Sequence, residues 1–298
     1  MGIGRSSGRI GPLGQVAETL PANAVVGVIA GGGTLPDALH AHLVQRGIEV
    51  RSLALNGEAT GVRAGETKSI ADVEGILAWL ETHRITHATM VGWVRRRPTW
   101  REGRVGLRAL RALPGLLRGL SAGDDGMLRA VVRTLESRGV RVVGVDELWP
   151  ELLAEAGPLT RARPATQHSE SIKVGFEASH RLGELDAGQA VVVVGRRIVA
   201  LEALEGTDEM LARVADLRKS GRLRGKGGVL VKAVKPSQER RTDLPTIGPS
   251  TVSNAVAAKL DGIAVQAGAT LLVERERTLA DADAVGLFIY GQAAPCRR

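Results

Sequence analysis

Apolar residues fall along this chain in short unbroken runs separated by helix-length amphipathic stretches, a rhythm that predicts alternating strands and helices. The first run, Val25-Val26-Gly27-Val28-Ile29-Ala30, is apolar at successive positions, as a strand buried on both faces of a parallel sheet requires. Gly31-Gly32-Gly33 follow at once, and 35–46 reads as a helix with Pro36 in its first turn, where a missing N–H costs little. Strands are expected over 48–55, 86–91 and 140–145, with helices over 70–82 and 126–137 between them. This alternation makes 23–150 a Rossmann-like N-terminal domain with a parallel sheet.

Pro150, Pro158 and Pro164 mark 151–165 as a linker. Beyond it come a helix over 169–183, then strands over 189–194 and 198–204 turned on Gly195-Arg196-Arg197. A helix over 209–217, a strand over 229–231 and a helix within 246–259, restarting behind Pro249, continue the pattern. Short strands over 263–265 and 270–273, a helix over 279–283 and a strand over 286–290 close it. The overall class is α/β, and 166–298 is expected to form a distinct C-terminal catalytic α/β domain with a mixed sheet. Residues 1–22, rich in Gly, Ser, Arg and Pro without periodicity, read as a flexible leader.

Composition narrows the functional classes. With 298 residues, 44% hydrophobic and 24% charged, the chain suits two soluble domains. Aromatics supply only 2%, so the cores must be Val, Leu, Ala and Ile. No apolar run reaches the roughly 18 to 20 residues that cross a bilayer, and the leader lacks the apolar stretch of a secretory signal. The single cysteine, Cys296, cannot form an internal disulfide, which suits a reducing compartment. A net charge of +8 invites a nucleic-acid reading, but stacking aromatics are scarce and no zinc-finger or RNA-recognition motif is present. No nucleic acid is therefore expected as partner. Much of the positive excess lies in Arg95-Arg96-Arg97 and from Arg101 to Arg118, a stretch suited to an anionic membrane or to a solvated helix face.

The densest chemistry lies in 229–248. An apolar strand runs into Lys232, Lys235, Gln238, Arg240, Arg241 and Asp243, with Pro236 and Pro245 bracketing the polar part. Prolines hold such a segment extended, and clustered cations with one carboxylate suit a phosphate ligand; a solvated charged loop is the plainer alternative. Glu202, Glu205 and Asp208, around Gly206 and Thr207, sit where a hairpin meets a helix, an edge that can hold a metal, or where Thr207 or Asp208 caps the helix. Of Asp124 and Asp125, one is expected to cap a helix and the other to be free for a ligand. Gly31, Gly32 and Gly33 can turn backbone N–H groups towards a phosphate, or can merely permit tight packing. They do not make a dinucleotide fingerprint. Pro36 replaces the third glycine and Arg51 stands where an acidic ribose ligand belongs, which disfavours NAD. His168 and His180 lack a paired ligand, and no serine elbow or Walker loop is present.

Four of these motifs together resemble the LpxI family, UDP-2,3-diacylglucosamine hydrolases of lipid A biosynthesis. They are 29–36, 123–128, 202–208 and 232–248, and the likeness runs from about 25 to 291, with Ser171 standing where many relatives carry an aspartate. The resemblance implies a magnesium- or manganese-dependent pyrophosphatase releasing UMP and 2,3-diacylglucosamine 1-phosphate (lipid X), with attack at the β-phosphorus. It also implies a lipid chamber between two domains, a homodimer, and Asp243 as the essential acidic position. On that basis Asp243, Lys232, Lys235 and Arg241 are expected to be catalytic. Asp243, Asp208, Glu205 and Glu202 are the expected metal ligands. Gly31, Gly32, Gly33, Asp125, Thr207, Gln238 and Thr246 are expected on the substrate. A cytoplasmic location with weak, salt-sensitive contact at the inner membrane follows from lipid-bearing substrate and product. The competing reading is a non-catalytic nucleotide-sugar or lipid-phosphate binding protein on the same fold.

Overall fold

The computed structural model describes residues 20–58, 65–94, 123–236 and 238–293. The expected leader (but for its last residues), the arginine-rich stretch and Cys296 lie outside the described residues.

The first unit contains β1 (Val25–Ala30), α1 (Leu35–Gln45), β2 (Glu49–Leu55), β3 (Glu66–Lys68), α2 (Val73–Thr82), β4 (His87–Val91), α3 (Gly123–Glu136), β5 (Arg141–Val142) and α4 (Val145–Leu148). Its five strands are all parallel, in the order β3-β2-β1-β4-β5, a doubly wound sheet whose strand order reverses between β1 and β4. The period-two geometry of β1 sends Val26, Val28 and Ala30 to one face, where Leu35, Leu39 and Leu43 of α1 meet them. The opposite face packs Leu53, Ala88 and Val142 under Leu77, Trp79 and Leu80 of α2 and Val132 and Leu135 of α3.

The second unit contains β6 (Gly157–Pro158), α5 (Thr166–Glu184), β7 (Ala190–Val194), β8 (Arg197–Leu201), α6 (Gly206–Lys219), β9 (Val229–Lys232), β10 (Thr246–Ile247), α7 (Pro249–Ala257), β11 (Gly262–Gln266), β12 (Leu271–Leu272), α8 (Arg275–Ala284) and β13 (Phe288–Gln292). Its sheet is mixed, in the order β6-β13-β11-β9-β7-β8. The central β13, β11 and β9 are parallel, while β6, β7 and β8 join antiparallel. A small parallel pair, β10 and β12, lies apart from it. One face packs under α6 and α7 through Met210, Leu211, Val214, Val252 and Ala255, and Ile172 of α5 joins Val191, Val229 and Val231 on the other. There α5 lies so close that a β-carbon on Gly175 would overlap Val231.

The stretch 151–165 is woven into both units. Leu152 belongs to the first core and Ala154 to the second, Ala154 N donates to Thr270 O at 2.9 Å, and β6 pairs with β13. Four helices begin earlier than their apolar pattern suggests, α5 among them at Thr166. α3 opens at Gly123, α6 at Gly206 and α8 at Arg275, because charged first-turn residues hide the helical period. The helix expected within 246–259 starts at Pro249, and a two-residue strand precedes it.

Candidate functional site

Lys232 is the last residue of β9, and from that carboxyl edge the chain crosses to β10 through the polar stretch 233–245. Three glutamines fix this crossing. Ala233 N donates to Gln189 O at 3.0 Å, Val234 N to Gln266 Oε1 at 3.2 Å and Lys235 N to Gln238 Oε1 at 2.9 Å. Gln238 is buried at 8% exposure and has its amide nitrogen left for Asp243 Oδ2, 2.5 Å away. The next residue, Leu244, packs into the core of the first unit and ties the crossing to it.

Asp243 is thereby held half-buried at the junction of the two units. Burial pushes its carboxyl above the ordinary range. The hydrogen bond from Gln238 and the charges of Lys235 and Lys232 oppose that shift, and the charge of Asp125 adds to it. Lys235 Nζ reaches Asp186 Oδ1 at 2.7 Å and Asp125 Oδ1 at 3.2 Å, the latter in the first turn of α3. Burial alone would lower the lysine, but the bond to Asp186 and the Asp125 carboxylate outweigh it and raise its pKa. Lys232 Nζ donates to Thr207 Oγ1 at 2.9 Å and to the Thr246 carbonyl at 3.0 Å. The Thr207 hydroxyl donates in turn to Glu202 Oε1 at 2.6 Å, and Gln189 N donates to Glu202 Oε2 at 3.0 Å.

Asp243, Lys232, Lys235, Gln238, Asp125, Thr207 and Thr246 therefore meet in one connected polar site. Others among the expected residues stand elsewhere. Arg241 is spent on carboxylates, Nε and Nη2 on the two oxygens of Glu239 at 2.8 and 2.9 Å and Nη1 on Glu136 of α3 at 2.7 Å. The bond to Glu239 holds its guanidinium above an already high pKa. Its place is a clasp between the units rather than a free anion ligand.

The four-carboxylate metal set is not gathered. Glu202 is buried on Thr207 and Gln189, exposed Glu205 pairs with Arg213 at 3.0 Å, and exposed Asp208 accepts from Asn254 at 2.9 Å. The tight hairpin-to-helix junction sends these side chains to different neighbours. Among the described residues no group of three or more His, Cys, Asp or Glu is arranged to hold a metal ion. Neither Thr207 nor Asp208 caps α6, whose N-cap is Glu205 without a side-chain bond, and Asp125 lies inside its helix rather than capping it.

The glycine loop also has a different occupant. Gly32 pairs with Trp93 in both directions, N to O at 2.8 Å and O from N at 3.1 Å. A β-carbon at Gly31 or Gly32 would strike the Trp93 backbone or indole. Tight packing is what these two glycines permit, while Gly33 is needed for its φ of +98°.

The sequence reading missed Asp186, Gln189, Glu136 and Glu239. Only Asp186 carried a local signal. It follows the C-terminus of α5 with φ +52°, a left-handed position that aspartate tolerates.

A parallel Rossmann-type unit joined to a mixed α/β unit, with lysines and carboxylates meeting at the carboxyl edge between them, defines a two-unit α/β protein with a charged polar site at its boundary. The chain belongs to the LpxI family: the LpxI N-terminal domain model matches residues 25–152 and the LpxI C-terminal domain model matches 155–290. It is 37% identical over 273 residues to the UDP-2,3-diacylglucosamine pyrophosphatase LpxI of Caulobacter vibrioides, an alignment spanning 89% of this chain and 96% of that protein. The crystal structure of Thermus thermophilus UDP-glucose 4-epimerase with NAD aligns over 91% of this chain and 86% of that one at 16% identity, with a TM-score of 0.27.

Proposed function

We propose that this chain hydrolyses the pyrophosphate of UDP-2,3-diacylglucosamine to UMP and 2,3-diacylglucosamine 1-phosphate. The observation that carries the reading is the 37% identity to the Caulobacter pyrophosphatase, extending through the segment that contains Asp243.

A diphosphate is multiply anionic and repels an incoming oxygen nucleophile, so hydrolysis requires positive charge near the phosphates and a positioned water. Lys232 and Lys235, whose charges both reach Asp243, supply the charge. The Asp243 carboxyl, pushed upward by burial, is suited to hold the water and accept its proton. The water oxygen bonds to the β-phosphorus as the bond from that phosphorus to the bridging oxygen breaks. The bridging oxygen leaves with UMP, and the β-phosphate stays on the sugar. Gln238 fixes the Asp243 carboxylate in place. Exposed Leu185 and Leu204, at 79% and 84%, flank site residues in the chain and offer apolar surface to acyl tails.

Magnesium or manganese belongs to the same proposal. Asp243 Oδ1 has no hydrogen-bond partner among the described residues, and Asp243 and Asp125 repel each other. These two carboxylates fit a hard divalent cation, and Glu202, Glu205 and Asp208 do not. When bound there, the ion would neutralise phosphate charge through oxygen ligands.

Incubation with UDP-2,3-diacylglucosamine and magnesium should release UMP, and a chelator should stop the release. No UMP under any divalent metal would favour a nucleotide-sugar binding protein instead. Membrane contact and dimerisation remain part of the proposal. No described helix is long and apolar enough to cross a membrane, and β8 ends its sheet with Ile198 and Leu201 at 40% and 43% exposure, an edge suited to a second copy.

A further inference from the structure

We propose that Glu202 is a positioning residue that aims the Lys232 ammonium at the substrate phosphates through the hydroxyl of Thr207. This rests on the hydrolase reading above and deepens it.

The ends of this chain are both buried, Glu202 at 6% and Lys232 at 7% exposure, yet the two opposite charges share no direct ion pair. One hydroxyl separates them. A hydroxyl has a single hydrogen, and that of Thr207 goes to Glu202 Oε1 at 2.6 Å. Its lone pairs are left to face Lys232 Nζ at 2.9 Å. An ammonium has three N–H donors, and Lys232 places two, on Thr207 Oγ1 and on Thr246 O. The last has no acceptor among the described residues. It lies on the side chain whose charge reaches Asp243, which is where an anionic phosphate would sit. A direct carboxylate contact would neutralise that lysine; at one hydroxyl's remove the carboxylate orients it and leaves its charge for the substrate.

The carboxylate itself is required by the donor count. Gln189 N donates to Glu202 Oε2 at 3.0 Å while Thr207 donates to Oε1, so position 202 must accept on both atoms. A glutamine accepts on only one. Its amide must either face the Gln189 N–H or displace the hydroxyl hydrogen of Thr207 towards Lys232, and either arrangement breaks a bond of the chain.

The test is steady-state hydrolysis of UDP-2,3-diacylglucosamine by Glu202→Gln, Thr207→Val, Thr207→Ser and the double variant Glu202→Gln/Thr207→Val, with thermal unfolding of each. Losing one charge-assisted contact should lower kcat on the order of 10- to 100-fold in Glu202→Gln and in Thr207→Val, with KM much less affected. The double variant should be no worse than either single one, because both break one chain. Thr207→Ser, which keeps the hydroxyl, should recover most of the loss. Wild-type kcat in folded Glu202→Gln, or multiplicative losses in the double variant, would overturn the proposal. So would a kcat loss that merely follows the unfolded fraction. Asp243→Ala in the same assay separates the two levels. If wild type releases no UMP, the hydrolase reading fails; if wild type turns over, Asp243→Ala is inactive and Glu202→Gln is normal, only the positioning role fails.

Discussion

Lys235 has 10% of its side chain exposed and two carboxylate partners, Asp186 at 2.7 Å and Asp125 at 3.2 Å. Asp125 has only 3% of its side chain exposed, so removing the lysine takes an opposite charge away from a buried carboxylate. Lys235→Ala should cost about 3 to 5 kcal/mol in urea unfolding, and adding Asp125→Asn should return a good part of it. Asp243 runs the other way. Its folded-state pKa is raised above 3.8 by burial, so the folded state holds the proton more tightly than the unfolded chain. The stabilising effect of that proton is present below the unfolded value and lost as pH rises through the folded one. In chelator-treated protein, Asp243→Asn should therefore melt higher than wild type at pH 8, and the gap should close as pH falls through that window. A variant less stable at pH 8 would contradict the burial argument. At this scale the sequence revealed which residue types gather but not their partners. Lys232, Lys235 and Asp243 stood out in one polar run, whereas the contacts that Asp186 and Gln189 make became legible only once α5 and β7 lay beside β9. Arg241 looked like a phosphate ligand because Glu136, 105 positions away, could not be seen beside it.

The element that carries the site is β9, and its carboxyl end is placed by α5 pressing on its face. Gly175 is the contact point, since a β-carbon there would overlap Val231. Gly175→Ala should destabilise by about 1 to 3 kcal/mol through overpacking, and Val231→Ala on that background should relieve part of the cost; both are read from denaturant midpoints. Neutral behaviour of Gly175→Ala would mean that α5 can shift freely from β9. The core strands were legible because Val25 to Ala30, Ala190 to Val194 and Val229 to Val231 are continuous apolar runs. The first turn of α6 was not, because Gly206, Thr207, Asp208 and Glu209 read equally as a loop or an acidic metal edge. Helix α8 was obscured for the same reason, with Arg275, Glu276 and Arg277 ahead of buried Thr278.

Across the whole molecule, the two units are joined by apolar and ionic contacts, most of them on one segment. Leu244 and Leu271 of the second unit enter the first unit's core, while Lys235–Asp125, Arg241–Glu136 and Arg240–Asp146 bridge the same boundary at 3.2, 2.7 and 3.6 Å. The crossing from β9 to β10 is thus both the catalytic segment of the proposed reaction and part of the seam. The α/β alternation and the change from a parallel to a mixed sheet could be read along the chain, because each strand carries its own burial pattern. The seam could not, since it depends on residues from α3, α4 and the second unit meeting in space.

The most direct measurement is UMP release from UDP-2,3-diacylglucosamine by Asp243→Ala, purified and shown to be folded by circular dichroism. The account predicts that the rate falls by about 1,000-fold or more while the lipid nucleotide still binds. Turnover within about tenfold of wild type would contradict a reaction centred on this carboxylate.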